Sequence, residues 1–342
     1  MSKPTTELVL TKRQSRQETV DGRPETVDGR RKSVDGMQDG RFRSRVRDIW
    51  ERLAAAEAAP HFTNVEGGSV EQVRDKRLRL HHCANYAAVL TMVDELGPGL
   101  RLLELGCGSG ALSAAFGSLL PDGSSLTATD YSQDLVEHAQ QFHAAEHTVF
   151  EQLDVRHAGS DRLAQADLVM LLEVIEHVSW SEAADLLRRL HAGLRPGARV
   201  IMTTLDRSPF PRPHSGYLPH VVEYNYADVN LFLSDTGSNP FSEFRLHRLV
   251  SSRIARESVR AENRGGYWSN RISAGFERMG QRSQVLDRLR RRVLRAGFLV
   301  YSVLPRGREF PLEEYLETMS LVHDSSDGLD ADSFGIVAEL RR

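Results

Sequence analysis

Two carboxylates and an imidazole follow one apolar segment and offer acid–base or metal chemistry. Residues 166–172 predict a buried strand that runs directly into the segment 173–177, Glu-Val-Ile-Glu-His. Ligands of an open α/β sheet lie at the carboxyl ends of its strands, so these side chains are expected to face a bound molecule. Glutamate and histidine serve as general acids and bases, and both also bind metals. We take Glu176 and His177 as the candidate catalytic residues.

A glycine-rich loop follows an earlier strand. Residues 101–105 predict a short apolar strand, and Gly106, Gly108 and Gly110 follow it with the spacing G-x-G-x-G. Glycines let the backbone turn tightly and lie against a ligand, and a helix expected from Ala111 directs free N–H groups at the same place. The spacing differs from the G-x-G-x-x-G of dinucleotide-binding proteins, so a pyrophosphate is not the expected ligand.

The segment 104–110, Glu-Leu-Gly-Cys-Gly-Ser-Gly, resembles the first motif of the class I S-adenosylmethionine (SAM) dependent methyltransferases. In that family the glycines pass under the methionine part of SAM, and the acidic residue, here Glu104, helps to fix the loop and the amino group. The resemblance covers residues 79 to 204 well and the remainder poorly. It implies that SAM is the cofactor.

The ends of the next strands also match the family. Segment 125–129 precedes Asp130-Tyr131, where the family binds the ribose, and a carboxylate accepts the two hydrogen bonds of a diol. Segment 148–153 precedes Asp154-Val155, where the family holds the adenine. The resemblance implies cofactor-binding roles for Glu104, Gly106, Cys107, Gly108, Gly110, Asp130, Tyr131, Asp154, Val155 and Glu173.

The Glu-x-x-Glu-His segment has two relatives with different chemistry. It resembles the small-RNA 3′-terminal 2′-O-methyltransferases, which complete a metal site with a later histidine, and it also resembles the ubiquinone-biosynthesis-type O-methyltransferases. His220, in a His-x-x-Glu-aromatic segment, is the candidate later histidine, with His214 as a rival. The implied metal set is Glu173, Glu176, His177 and His220, and such ligands suit Mg²⁺, Mn²⁺ or Fe²⁺ better than structural zinc. In small-molecule methyltransferases the Glu-His pair instead lines the substrate pocket or accepts a proton.

Composition limits the class of protein. The chain has 342 residues, a net charge of −3 and 40% hydrophobic residues, enough for a substantial core. No run approaches the roughly 20 apolar residues of a membrane span, and the polar amino terminus lacks the apolar segment of a secretory signal. The two cysteines, Cys83 and Cys107, indicate neither a disulfide framework nor a zinc site. We therefore expect a cytoplasmic protein without a membrane partner.

The predicted fold class is α/β, a doubly wound seven-stranded Rossmann-like methyltransferase sheet with the last strand antiparallel and a helical cap insertion. Residues 1–40 contain three copies of a seven-residue repeat with Asp-Gly turn signals, which predicts a disordered tail. Residues 41–98 predict helices covering the cofactor, 99–206 the SAM-binding core and 207–283 the cap. Residues 284–342 predict a helix at 284–295 and two strands, at 297–302 and 334–339.

The first helix is expected to begin at Arg41. The second is expected to begin at a capping box at Ser69 and to end near Leu96. On the second of these, His81, His82 and Tyr86 are expected to pack or face solvent rather than contact the cofactor.

Three functions remain open at this level. The first is a methyltransferase acting on a small molecule, with specialised metabolism as its expected setting. The second is a metal-dependent RNA 2′-O-methyltransferase, for which the 14 arginines between residues 251 and 310 would supply phosphate contacts. The third is a SAM-binding protein that transfers no methyl group. A small-molecule substrate is the favoured partner over RNA, and the oligomeric state is not indicated.

Overall fold

The computed structural model describes residues 28–55, 76–157, 160–217, 219–266, 310–323 and 328–342. The strands are β1 (Arg101–Leu105), β2 (Ser125–Asp130), β3 (Thr148–Gln152), β4 (Leu168–Leu172), β5 (Arg199–Leu205), β6 (Glu243–Val250), β7 (Ser320–His323) and β8 (Ser333–Arg341). The helices are α1 (Asp28–Ala55), α2 (Lys76–Leu96), α3 (Ala111–Gly117), α4 (Gln133–Phe142), α5 (Ser160–Gln165), α6 (Trp180–Gly193), α7 (Tyr226–Ser234), α8 (Ser252–Ala261) and α9 (Leu312–Leu316). Short 3₁₀ turns lie at Val155–His157 and Ile175–His177, and a π-helical turn lies at Glu262–Gly266.

The eight strands form one sheet in the order β3-β2-β1-β4-β5-β8-β6-β7. Strands β1 to β5 are parallel, with Leu102 of β1 opposite Leu126 of β2 and Leu168 of β4. All five residues of β4 are buried, as expected for a central parallel strand covered on both faces. Apolar clusters on the two faces include residues of α1 to α4 on one side and of α5 to α7 on the other. The doubly wound α/β prediction is therefore confirmed.

Helix α1 begins at Asp28, inside the segment expected to be a disordered tail. Its buried residues Phe42, Val46, Ile49 and Leu53 form one apolar stripe at helical spacing. Extending a helix that this stripe already anchors costs little free energy. The Asp-Gly pairs, which favour turns, therefore do not prevent α1 from beginning before Arg41. The first 27 residues and the expected capping box at 69–72 lie outside the described residues.

The carboxyl-terminal half of the sheet corrects the predicted strand count from seven to eight. The predicted last strand is present as β8, which pairs antiparallel with both β5 and β6. Strand β6 lies within the predicted helical cap, and β7 adds an edge beside it. The sequence does not show an apolar strand pattern at β6, because the strand contains charged residues such as Arg248. Arg248 is nevertheless buried, and it forms an ion pair with Asp330 at 2.7 Å. The predicted helix 284–295 and strand 297–302 lie outside the described residues.

Several helices begin where the sequence supplies a cap. The Ser179 side chain accepts from the Glu182 N–H while Glu182 accepts from the Ser179 N–H, which starts α6 directly after the 173–177 segment. Asn225 and Asp228 make the same reciprocal pair at the start of α7. Among the described helices, none has the length and apolar character needed to cross a bilayer.

Candidate active site

A cavity of about 1480 Å³ lies at the carboxyl ends of the parallel strands. Most of the predicted cofactor residues line it, namely Gly106, Cys107, Gly108, Asp130, Tyr131, Asp154, Val155 and Glu173. Glu176, His177 and His220 line the same cavity, so the structure brings the expected catalytic residues beside the expected cofactor residues. Glu104 and Gly110, which were expected to bind the cofactor, are not in the cavity wall.

The glycines of the loop have different roles. Gly108 has a φ of +57°, and a Cβ added there would meet nothing within 4 Å, so its backbone is open to a ligand. Gly110 has a φ of +85°, and a Cβ added there would lie 2.5 Å from Cβ of Ala139 and 2.7 Å from Cε1 of Phe150. The absent side chain at Gly110 therefore lets the loop pack closely against α4 and β3.

Glu104 acts from behind the loop. Its side chain is buried, and the Tyr86 hydroxyl donates a hydrogen bond to Oε1. Burial raises the pKa of Glu104 to about 7, against the opposing effect of the hydrogen bond from Tyr86. The Thr129 hydroxyl donates to the Glu104 carbonyl at 2.7 Å. Glu104 thus joins α2, β1 and β2 directly beneath the glycines.

Asp130 holds the backbone on both sides of the β2 end. Its Oδ2 accepts from the Gly108 N–H at 3.0 Å and its Oδ1 accepts from the Ser132 N–H at 2.9 Å. Burial raises the pKa of Asp130, and these backbone bonds oppose the rise. At the end of β3, Asp154 forms an ion pair with Arg156 at 2.6 Å. Both carboxylates face the cavity at the positions expected for ribose and adenine contacts.

Glu173 adopts a left-handed backbone, with φ of +57°, the only positive φ of a residue other than glycine in the described part of the chain. Its carboxylate accepts from Asn85 Nδ2 at 3.0 Å and from the Thr203 hydroxyl at 3.2 Å, and it lies 3.1 Å from His81 Nε2. Burial opposes its ionisation, but the charge and hydrogen bond of His81 outweigh burial and hold the pKa of Glu173 at about 2.

Glu176, His177 and His220 form a second cluster, in which one donor atom of each residue lies within 4.8 Å of the others. Burial, followed by the neighbouring Glu173, raises the pKa of Glu176 well above its usual range. His177 Nδ1 lies 3.1 Å from the Pro219 carbonyl, and burial lowers the pKa of His177. The two imidazole rings contact each other with centroids 5.1 Å apart.

The four metal ligands that the resemblance implied fall into two groups of possible donors. Glu173 groups with His81 and His82, whereas Glu176, His177 and His220 group together. The left-handed backbone of Glu173 and its hydrogen bonds direct its carboxylate toward α2 and β5. His214, the rival of His220, instead lies with Nε2 3.1 Å from the His220 carbonyl. His81 and Tyr86 are buried, as expected for packed side chains, and both line the cavity together with His82.

Glu223 is a functional candidate that sequence reasoning did not single out. Its Oε1 lies 2.8 Å from His220 Nδ1, and its Oε2 accepts from the Ser215 N–H at 2.7 Å. Burial opposes its ionisation, but the hydrogen bonds from His220 and Ser215 hold the pKa of Glu223 at about 2. The spacing His-x-x-Glu was the available signal, because it places a carboxylate beside the imidazole within one short segment.

Buried Arg207 connects this segment to the π-helical turn that follows α8. Its Nη1 lies 2.7 Å from Glu262 Oε2 and its Nε lies 3.3 Å from Glu223 Oε2. The guanidinium also lies over the Phe210 ring, with Cζ 3.9 Å from the centroid. Removing a charged side chain from water is costly unless it is paired, so two carboxylates and an aromatic face explain how Arg207 is buried. The segment 207–223 is therefore held in place beside the cavity.

Residues 103–200 match the family described as "Methyltransferase domain" (Methyltransf_12). The chain is 35% identical over 115 residues to a ubiquinone biosynthesis O-methyltransferase of Ruegeria pomeroyi, covering 32% of this chain and 43% of that protein. It is 28% identical over 148 residues to a Pseudomonas aeruginosa protein of the same name, covering 43% and 58%. The chain therefore spans about half the length of the curated relatives it matches.

Among solved structures, the YcgJ protein of Bacillus subtilis aligns with 77% of this chain and 99% of its own, at 13% identity and a TM-score of 0.44.

Proposed function

We infer that this chain, whose residues 103–200 match the methyltransferase-domain family, binds SAM at the ends of β1 to β4 and methylates a small molecule. One observation carries this proposal. The glycine loop, Asp130 and Asp154 line one cavity together with Glu176, His177 and His220. A cofactor position and a set of acid–base groups therefore line the same cavity.

The residues present suit SAM. The open space at Gly108 admits a ligand against the backbone, and Asp130 offers carboxylate oxygens for a ribose diol. When bound, SAM supplies a methyl group on a sulfonium, which needs little covalent assistance. The chain must then align the acceptor, exclude water and remove any proton that the acceptor carries.

We assign proton removal to His220, ahead of His177. With its Nδ1–H donated to Glu223, His220 has Nε2 free to accept a proton from the acceptor as that atom bonds to the methyl carbon. The ionised Glu223 then stabilises the positive charge on the ring. Burial and the neighbouring His220 lower the pKa of His177, which keeps its ring neutral. Glu176, whose pKa is raised well above its usual range by burial and by Glu173, retains a proton more readily than an exposed carboxyl and lies in the same cluster.

A second candidate is a metal-dependent reaction on a hydroxyl group, including the 2′-hydroxyl of RNA. The convergence of Glu176, His177 and His220 favours it, because three ligands leave coordination positions for a substrate. A divalent cation there would lower the pKa of a bound hydroxyl. Under this proposal, activity disappears with a chelator and returns with Mg²⁺, Mn²⁺ or Fe²⁺, while SAM binding persists.

Radiolabelled SAM distinguishes these functions. The protein is incubated with the small-molecule fraction and the RNA fraction of a cell extract, with and without chelator, beside a His220→Ala variant. We expect label in the small-molecule fraction, insensitive to chelator and strongly reduced in the variant. Chelator-sensitive label in RNA would establish the second candidate. Tight SAM binding without label in either fraction would indicate a binding protein.

A further inference from the structure

We propose that His214 is a positioning residue, which holds His220 in place for proton removal from behind the wall of the cavity. Four residues of the loop 214–220 line the cavity, namely Ser215, Tyr217, Pro219 and His220. His214 is absent from that wall in the described part of the chain, so it acts on a bound acceptor only through the loop. The inference rests on the role of His220 in the proposed function.

The two ring nitrogens of His214 close this loop. Its Nδ1 accepts a hydrogen bond from the Gly216 N–H at 2.9 Å, and its Nε2 lies 3.1 Å from the carbonyl oxygen of His220. Gly216 has a φ of +79°, a left-handed conformation that glycine adopts readily. One imidazole therefore joins the turn of the loop to the backbone of the residue that carries the proposed base.

These partners leave His214 a single protonation form. A backbone N–H can only donate, so Nδ1 of His214 carries no hydrogen, and a carbonyl oxygen can only accept, so Nε2 carries one. His220 has the opposite arrangement, because its Nδ1 lies 2.8 Å from Oε1 of Glu223, whose pKa is held at about 2. That ionised carboxylate accepts the Nδ1–H of His220 and leaves a lone pair on Nε2. The two histidines are therefore fixed as opposite tautomers.

His214 and Glu223 constrain different parts of His220. Glu223 fixes the tautomer and the orientation of the imidazole, whereas His214 fixes the carbonyl, and so the backbone from which the imidazole projects. The adjoining Pro219 carbonyl lies 3.1 Å from His177 Nδ1, so both histidines of the cluster depend on the position of this short stretch. A displacement of about 1 Å between reacting groups can lower a rate by about 100-fold, so the anchor at His214 should affect turnover.

Three substitutions separate the two hydrogen bonds of His214. His214→Gln is long enough to place an amide N–H at the His220 carbonyl, but it puts no acceptor beside the Gly216 N–H. His214→Asn retains an acceptor for that N–H, as in an Asx-turn, but is too short to reach the carbonyl. His214→Phe retains a ring and neither bond. His147→Phe, the same replacement at an exposed histidine outside the cavity wall, is the control.

Two measurements are made on the full-length protein, after thermal denaturation has verified that each variant folds. The first is the rate of label transfer from saturating radiolabelled SAM to the small-molecule fraction of a cell extract, with the SAM affinity measured by calorimetry. The second is long-range ¹H–¹⁵N correlation NMR of the imidazole nitrogens at neutral pH, which reports each tautomer without any acceptor. The spectra of His214→Gln and His220→Gln assign the two histidines.

We expect the wild type to show the Nε2–H tautomer for His214 and the Nδ1–H tautomer for His220. The rate should fall about 10- to 100-fold in His214→Phe and His214→Asn, and stay within about threefold of the wild type in His214→Gln, because only the glutamine restores the bond to the His220 carbonyl. The His220 nitrogen signals should shift in the Phe and Asn variants and be restored in the Gln variant. SAM affinity should be the same in all variants, and His147→Phe should match the wild type.

An Nδ1–H tautomer of His214 in the wild type would overturn the proposal. Unchanged His220 signals in folded His214→Phe, or an equal loss of rate in His214→Gln and His214→Phe, would also overturn it. If the wild type transfers no label, the proposed function fails on its own, and the His220 signals alone then decide whether His214 positions this residue.

Discussion

At the scale of single residues, Asp130 has two roles. Its carboxylate accepts hydrogen bonds from the Gly108 and Ser132 N–H groups, and it faces the expected ribose position. Asp130→Ala should weaken SAM binding by roughly 1–3 kcal/mol, about 5- to 150-fold. Isothermal calorimetry measures this change, with Asp134→Ala as a control for an exposed acid on the same cavity. Unchanged SAM affinity in folded Asp130→Ala would contradict the ribose assignment.

Glu104 should make SAM binding depend on pH. Its pKa is raised to about 7, so it is ionised above that value and neutral below it. Glu104 lies behind the glycine loop that is proposed to hold SAM, and the positive charge of SAM bound there should favour the ionised form of Glu104. Affinity should therefore fall as pH decreases through 7, by as much as about tenfold for each further unit. Calorimetry between pH 5.5 and 8.5 measures the profile, and Glu104→Gln should flatten it. A profile identical in wild type and variant would exclude Glu104 as the cause.

Glu223 should control the imidazole of His220 rather than cofactor binding. Glu223→Gln removes the charge that stabilises a protonated His220, so kcat should fall about 10- to 100-fold while the Kd for SAM is unchanged. The pH profile of kcat should also move, which a purely structural role would not cause. Glu262→Gln is the matched control, since Glu262 pairs with the same Arg207 without contacting His220. Equal losses of kcat in both variants would refute the assignment.

At the scale of elements, the glycine loop offers a matched pair of substitutions. Both Gly108 and Gly110 have positive φ, but only Gly110 has atoms within 3 Å of an added Cβ. Gly110→Ala should destabilise the protein by roughly 2–4 kcal/mol, from strain and overpacking together. Gly108→Ala should cost less stability and weaken SAM binding more. Thermal denaturation and calorimetry on both variants measure the difference, and a reversed order would contradict the division of roles.

Sequence periodicity identified most of these elements. The first four parallel strands are short apolar runs, and their predicted positions agree with the structure within a few residues. The site residues at the strand ends were also predictable, because each of them comes immediately after an apolar segment. Strand β6 was missed because buried Arg248 and His247 interrupt its apolar pattern. Their burial depends on partners distant in sequence, such as Asp330 and His323.

The site was only partly predictable for the same reason. The grouping of Glu173 with His81 and His82 depends on a left-handed backbone and on side chains of α2, neither of which a local motif contains. The packing of Gly110 against Phe150 of β3 could not be predicted from the motif, because this contact is formed only by the fold.

At the scale of the whole molecule, the amino-terminal helix belongs to the core. Deleting residues 1–55 removes the buried side chains of Phe42, Val46, Ile49 and Leu53 and should lower the melting temperature substantially or prevent folding. Deleting residues 1–27, whose repeats offer no apolar face, should leave the melting temperature and SAM affinity unchanged. Scanning calorimetry of both truncations provides the comparison. A large loss in the shorter deletion would show that the repeats contribute to stability.

The position of β8 has a consequence for how the protein is made. Because this last strand lies between β5 and β6, the open edge of β5 has no strand partner there until residues 333–341 leave the ribosome. The five parallel strands and the glycine loop are synthesised long before that moment. An unpaired apolar edge of this kind is prone to aggregation, and its pairing with β8 requires contacts between distant parts of the chain. Nascent chains of this protein should therefore pass through a stage in which the cofactor half is assembled while the edge of β5 still depends on chaperones for protection.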